Sequence, residues 1–224
     1  MIVLYDLVAA NGRRFSPNCW RTRLALAHKG LSHEARPVRF TEIAKIADGR
    51  QKTVPVIEDG EHIVGDSAVI ADYLETMYPE RPSLFGGVSG HALTQFVQSW
   101  AISTLHGGIL ELIVLDIHDA LAPADQPYFR ESRERRFGRR LEDMQAGRDE
   151  RLPGFRASLG PLRQILKTQA WIGGDTPLYA DYVAFAPFQW ARSISDVRLL
   201  EEDDPVTAWV ERCLDLHGGL ARSA

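Results

Sequence analysis

Cysteine is nearly absent: Cys19 and Cys213 are the only two in 224 residues. Two lone thiols cannot build a disulfide framework, so the chain is expected to be cytoplasmic. An excess of one charge sign is also missing. The balance of 26 basic against 30 acidic residues gives a net charge of −4, which argues against nucleic acid as a partner. The opening MIVLYDLVAANG has no basic residue before its apolar run and carries Asp6 inside it, so it does not read as a signal peptide. From His91 to Leu110 there is no Asp, Glu, Lys or Arg. Thr94, Gln95, Gln98, Ser99, Ser103, Thr104, His106 and the Gly107-Gly108 pair nevertheless make this stretch too polar for hydrocarbon, and no membrane partner is expected. A helix buried among other helices, beside a ligand cleft, fits it better. Internal repeats and low-complexity segments are lacking too. With 45% hydrophobic and 25% charged residues, a disordered or fibrous chain is excluded.

What is present divides into two halves. Ile2–Tyr5 is apolar and β-prone, and Ser16–Lys29 has helical spacing with Trp20, Leu24 and Leu26 among its apolar positions. Val54–Ile57 and Ile63–Val64 flank Asp59-Gly60, a hairpin dipeptide, and Ser67–Met77 predicts a second helix. The order β-α-β, hairpin, α is that of a small α/β sandwich. After Tyr78 the segment PERPSLFGG carries a linker composition. Beyond it only helices are predicted, over His91–Ala120, Tyr128–Ala146, Phe155–Thr168, Asp181–Ser193 and Pro205–Leu216. Arg130–Arg151 holds eight arginines and six acids, which reads as a solvated, salt-bridged helix and not as an anion-binding patch.

Three local patterns carry chemistry. Ser16-Pro17 opens the first long helix with a preferred N-cap and a proline suited to the next position. Taken alone this is a plain helix start; the same geometry would also serve a site where free N–H groups and a hydroxyl stabilise a bound thiolate. Redox proteins of the thioredoxin–glutaredoxin type carry C-x-x-C at this place; here serine stands first, so no local disulfide forms, and Cys19 reads as a packing residue. Val54-Pro55 heads a strand although proline has no ladder donor. It is an edge-strand proline, or a cis bond that turns the main chain of Val54 outward to pair with a peptide-like ligand. Gly65-Asp66-Ser67 caps a helix, or binds an amino-acid head group through a carboxylate and a hydroxyl at the positive end of the helix dipole.

Together SPNCWR at Ser16–Arg21, TVPVIEDG at Thr53–Gly60 and GDSAVIADYLE at Gly65–Glu75 resemble the N-terminal domain of a cytosolic glutathione transferase. VLDIHD at Val114–Asp119, RLEDMQAGRDERLP at Arg140–Pro153 and IGGDTPLYADY at Ile172–Tyr182 are similar to the bacterial β-etherase group, transferases that cleave β-aryl ethers of lignin fragments. The resemblance implies a thioredoxin-like glutathione-binding domain over residues 1–83 and an all-helical domain over 84–224 that forms the second-substrate pocket. It makes Ser16 the thiolate-stabilising residue, puts Val54 on the cysteinyl main chain with Pro55 in cis, and gives the γ-glutamyl group to Asp66 and Ser67. Gln51, Lys52 and Thr53 fall near the glycine carboxylate, with Lys52 expected to act where Thr53 is short. Asn18 stands where the subgroup has tyrosine, and Leu178 replaces the family's helix-capping Ser/Thr three residues before Asp181. Ligninolytic members carry a longer tail than one ending at the position of Ala224.

The implied reaction is attack of the glutathione thiolate on an electrophilic carbon of an aromatic substrate. In the β-etherase version that carbon lies beside a ketone and a phenolate leaves. Glutathione is the co-substrate, and neither a metal nor a covalent enzyme intermediate is required. A general conjugating or dehalogenating transferase, and a non-catalytic protein of the same fold that binds apolar ligands, are the competing readings. A homodimer is implied by the resemblance. The second-substrate pocket is expected between the Ser16–Asn18 turn and the uncharged helix, lined by Asn18, Trp100, Ser103, Thr104, His106 and Trp190. Gly107-Gly108 would allow a ligand to approach that helix closely.

Overall fold

The computed structural model describes residues 1–223. Its N-terminal half is a four-stranded mixed sheet in the order β2-β1-β3-β4. Strand β1 (Ile2–Leu7) is buried along its whole length and runs parallel to β2 (His33–Val38). On its other side β1 pairs antiparallel with β3 (Val56–Asp59), which turns through Gly60 into β4 (His62–Gly65). Helix α1 (Pro17–His28) crosses between β1 and β2, and α2 (Ser67–Met77) follows the hairpin over the expected residues. The expected order therefore holds, and the strand with no assigned residues is HEARPV. It is an edge strand that exposes Glu34 and Arg36 and contains Pro37, so its polar sequence hid it from a search for apolar alternation.

The segment Pro79–Gly87 has a linker's composition but not a linker's freedom. Leu84 and Phe85 are buried, the Leu84 N–H donates to Glu75 (3.0 Å) and the Leu84 carbonyl accepts from the Tyr179 N–H (2.8 Å). Beyond it, α3 (Val88–Trp100) and α4 (Gly107–Ala120) form one helical run, joined by a π-helical turn at Ala101–His106. This run is long and apolar enough to cross a membrane by length and composition alone, and 44% of its most apolar window is buried against protein. The helix expected over Tyr128–Ala146 is two, α5 (Gln126–Phe137) and α6 (Leu141–Gln145), because Gly138 adopts a left-handed conformation (φ +66°) and ends the first. Helices α7 (Arg148–Ser158) and α8 (Gly160–Ile165) likewise divide at Leu159. The buried helix α9 (Tyr179–Ile194) packs against α1, α3 and α4, and α10 (Pro205–Gly219) closes the bundle.

Leu178 does not leave the start of α9 uncapped. The Asp181 carboxylate is fully buried and accepts from the N–H groups of Leu178 (3.1 Å), Gly173 (2.9 Å) and Ile172 (2.8 Å) and from Trp209 Nε1 (3.1 Å). Half of the capping pair is missing, and the remaining carboxylate holds a whole turn.

Candidate active site

The loop before α1 is fastened from below. Asp6, buried in β1, receives Arg14 and Arg23 at 3.1 Å each. The Arg14 carbonyl accepts from Trp20 Nε1 (3.2 Å), and Ala9 donates to the Arg13 carbonyl (2.9 Å). Ser16 is thereby fixed as the N-cap of α1, and its Oγ accepts from the Cys19 N–H at 3.3 Å. Capping occupies a lone pair and leaves the hydroxyl proton free to donate, so helix start and thiolate donor are compatible roles for one oxygen. Cys19 itself is fully buried, and burial pushes its thiol well above the ordinary range, as expected of a packing residue.

The Val54–Pro55 peptide is cis. Among the described residues the Val54 N–H and C=O have no main-chain partner, and Val54 faces the same cavity as Ser16. Pro55 is buried, and its carbonyl accepts from the Asp66 N–H (3.2 Å), which joins this turn to the start of α2. Asp66 adopts φ +73° and ψ +131°, a conformation that L residues rarely take outside constrained sites. Its Oδ1 caps Ala68 (2.8 Å) and Val69 (3.3 Å), while Oδ2 stays free at the surface. Ser67 is buried, and its carbonyl is pinned by the Tyr179 hydroxyl at 2.7 Å.

Between the two halves lies a cavity of about 390 Å³. Ser16, Asn18, Lys52, Thr53 and Val54 line one wall; His106, Leu110, Ile117 and Trp190 line the other. Of the residues expected in the second-substrate pocket, Asn18, His106 and Trp190 are there. Trp100, Ser103 and Thr104 are not. Ser103 and Thr104 line a separate cavity of about 310 Å³ with Phe155 on the opposite side of the helix, and the Ser103 hydroxyl donates back to the Ser99 carbonyl (3.0 Å). Thr104 stands two residues before His106, about 200° around a helix, and the π-helical turn at Ala101–His106 interrupts the 3.6-residue repeat that would carry the face of Leu110 and Ile117 further back. Gln51 also lies off the cavity, donating to Asp48 (2.9 Å). Gly108 does not line this cavity either: a Cβ there would sit 2.8 Å from the Phe155 ring, so this glycine permits close packing of α4 against Phe155.

His106 stacks on Trp190 with ring centroids 4.7 Å apart. Burial, then the charges of Arg21, Arg136 and Arg133, push its pKa down to about 4. It is therefore neutral at physiological pH and is a wall of the pocket, not a general acid.

Sequence reasoning missed three arginines. Arg21 is 3% exposed, with Nε and Nη2 unpartnered among the described residues, in the field of Asp66 and Tyr179. Arg133 and Arg136 line the cavity, which corrects the reading of their helix as a solvated, self-neutralising face. Salt bridges do lace α5 through Arg130–Glu134 and Arg135–Glu131. Positions 133 and 136, however, have no acid four residues away on either side, and that was the available signal.

Residues 12–82 match the family described as "Glutathione S-transferase, N-terminal domain", and residues 92–216 that described as "Glutathione S-transferase, C-terminal domain". The chain belongs to the glutathione S-transferase family. Its mixed sheet is the thioredoxin-like part of that fold, followed by the helical part. It is 31% identical over 88 residues to maleylacetoacetate isomerase of Dictyostelium discoideum, covering 34% of this chain and 38% of the relative. It is 39% identical over 69 residues to glutathione S-transferase Z1 of Arabidopsis thaliana, covering 29% and 31%. The chain thus spans about a third of the length of these relatives. Over whole chains it is similar to the crystal structure of glutathione transferase GSTFuA2 from Phanerochaete chrysosporium (29% identity, TM-score 0.78, 99% and 94% covered). A glutathione S-transferase of Ceriporiopsis subvermispora in complex with glutathione is also similar (25% identity, TM-score 0.75, 99% and 94% covered).

Proposed function

We propose that this chain is a glutathione transferase in which Ser16 stabilises the glutathione thiolate for attack on an electrophilic carbon in the 390 Å³ cavity. The observation that carries the reading is one continuous strip. The Ser16 hydroxyl and the free main chain of Val54 face a single cavity, and the cis turn leads directly to the start of α2. In this reading the cysteinyl main chain pairs with Val54. The γ-glutamyl ammonium meets Asp66 Oδ2, and its carboxylate meets Ser67 at the positive end of α2 with the Arg21 cation in range. Lys52 and Thr53 lie toward the glycine carboxylate. The Ser16 hydroxyl donates to the sulfur, which lowers the thiol pKa; sulfur then bonds to carbon as the leaving group departs with its electron pair.

The finer reading is cleavage of a β-aryl ether, with a phenolate as leaving group; general aryl conjugation is its competitor. Retention on immobilised glutathione, followed by turnover of chlorodinitrobenzene and of a simple β-aryl ether, separates them. Ether turnover exceeding that of the halide supports the finer reading, whereas binding with no turnover of either would leave a ligand-binding protein.

Asp66 is exposed, so solvent screens its ion pair. Asp66→Ala is expected to weaken glutathione binding about tenfold and to act on affinity more than on kcat. Wild-type affinity in a calorimetric titration would reduce Asp66 to the helix cap it also is.

A homodimer is part of this proposal. Helices α2 and α3 are linked by His91 and Asp72 (2.8 Å), and they expose Val69, Leu93 and Phe96, the last at 74%. Apolar residues gathered on one face mark an interaction surface. Light scattering should give twice the chain mass of 25.1 kDa; the single-chain mass at micromolar concentration would count against it.

A further inference from the structure

We propose that the second-substrate pocket selects an aromatic electrophile that bears a carboxylate, anchored by the guanidinium groups of Arg133 and Arg136. The proposal rests on the transferase reading above and names its substrate class. The cavity is lined by three cations, Lys52, Arg133 and Arg136, and by no acidic side chain. Lys52 sits on the glutathione wall, which leaves the two arginines of α5 to the other substrate. Three residues apart on one helix, they present the same face.

Among the described residues neither arginine has an anionic partner. The side-chain hydrogen bond of Arg133 goes to the neutral Ser132 hydroxyl (2.9 Å), and Arg136 has no hydrogen bond or salt bridge among the described residues. Their neighbours Arg130 and Arg135 are both paired with glutamates. The Arg133 guanidinium lies 4.6 Å from the centroid of Phe129 and 5.6 Å from that of Phe40. These cation–π contacts leave Nε and Nη2 of Arg133 without a hydrogen-bond partner among the described residues, two donors suited to a carboxylate. Burial, with Arg136 adding to it, disfavours the charged form of Arg133, so a bound anion would relieve both the desolvation and the repulsion between two cations. Phe40, Tyr128 and Trp190 line the same cavity and give it aromatic walls.

The test is calorimetric titration of the full-length protein with biphenylcarboxylate and with the uncharged, similarly shaped biphenylcarboxamide. Neither is an electrophile, so the result does not depend on turnover. The wild type should bind the carboxylate at least about tenfold more tightly, the effect expected of a charge-assisted hydrogen bond. Arg133→Gln and Arg136→Gln should each lower that ratio severalfold, and together bring it close to one. Arg133→Lys should retain part of it. Should Arg133→Gln fail to fold because its stacking is lost, the exposed Arg136→Gln carries the test. A wild-type ratio near one, or a ratio unmoved by both variants, overturns the proposal. Loss of glutathione affinity with an unmoved ratio also overturns it, by assigning both arginines to the glycine carboxylate. Absence of turnover with a preserved carboxylate preference would sink the transferase reading alone.

Discussion

Ser16→Ala is expected to cut turnover about tenfold to a hundredfold while weakening glutathione binding much less. A hydrogen bond to a charged group contributes about 1.5–3 kcal/mol, and in this site it acts on the thiolate and not on the thiol. The thiol pKa of bound glutathione, followed by ultraviolet thiolate absorbance, should rise by roughly one to two units. Two effects of the same oxygen must be separated, because Ser16 also caps α1 through the Cys19 N–H at 3.3 Å. Cap loss costs about 1 kcal/mol, a drop of roughly 2–4 °C in Tm for a chain of this size. A lower Tm with an unchanged thiol pKa would therefore leave Ser16 as a cap only. Thiolate stabilisation would then belong to the free N–H groups at the start of α1.

The largest expected loss of stability follows Asp181→Ala. Four buried donors converge on this carboxylate, three from the main chain and one from Trp209. No water reaches the site to replace it, since Asp181 is fully buried. Each stranded donor costs about 1–3 kcal/mol, and with neighbouring terms that do not add fully the total is about 4 kcal/mol. Tm should fall on the order of 10 °C. The effect reaches the site, because α9 carries both Tyr179, which pins Ser67, and Trp190, which walls the cavity. Asp181→Asn should recover part of the loss, since its amide oxygen still accepts from two donors. A melting curve for the alanine variant within about 2 °C of wild type would show that the turn at Ile172–Leu178 holds without the carboxylate.

Elements whose signals lie within a few residues were readable in advance. Ser16-Pro17 announces the start of α1, Gly60 turns the hairpin, and Asp66-Ser67 opens α2 over Ser67–Met77. Strand β2 was not readable as HEARPV, because an edge strand needs no apolar face and its pairing with β1 is a long-range event. Pro55 admitted two readings from sequence, an edge strand or a cis turn, and the structure has the cis turn.

The wall of the pocket beyond Ser16 and Asn18 is a different matter. His106 and Trp190 face it while Trp100, Ser103 and Thr104 do not, and the helical repeat is interrupted there by a π-turn at Ala101–His106. The composition of α5 indicated a balanced surface, yet the half-buried Arg133 and the exposed Arg136 line the cavity with no ion-pair partner among the described residues. By itself the sequence pointed to the family and placed the caps at Ser16 and Asp66, because each cap closes hydrogen bonds between near neighbours. Only the tertiary structure decided which side chains line the cavity between the two halves. That surface is assembled from separate segments spread between Leu7 and Trp190, and the face each helix presents there is set by packing.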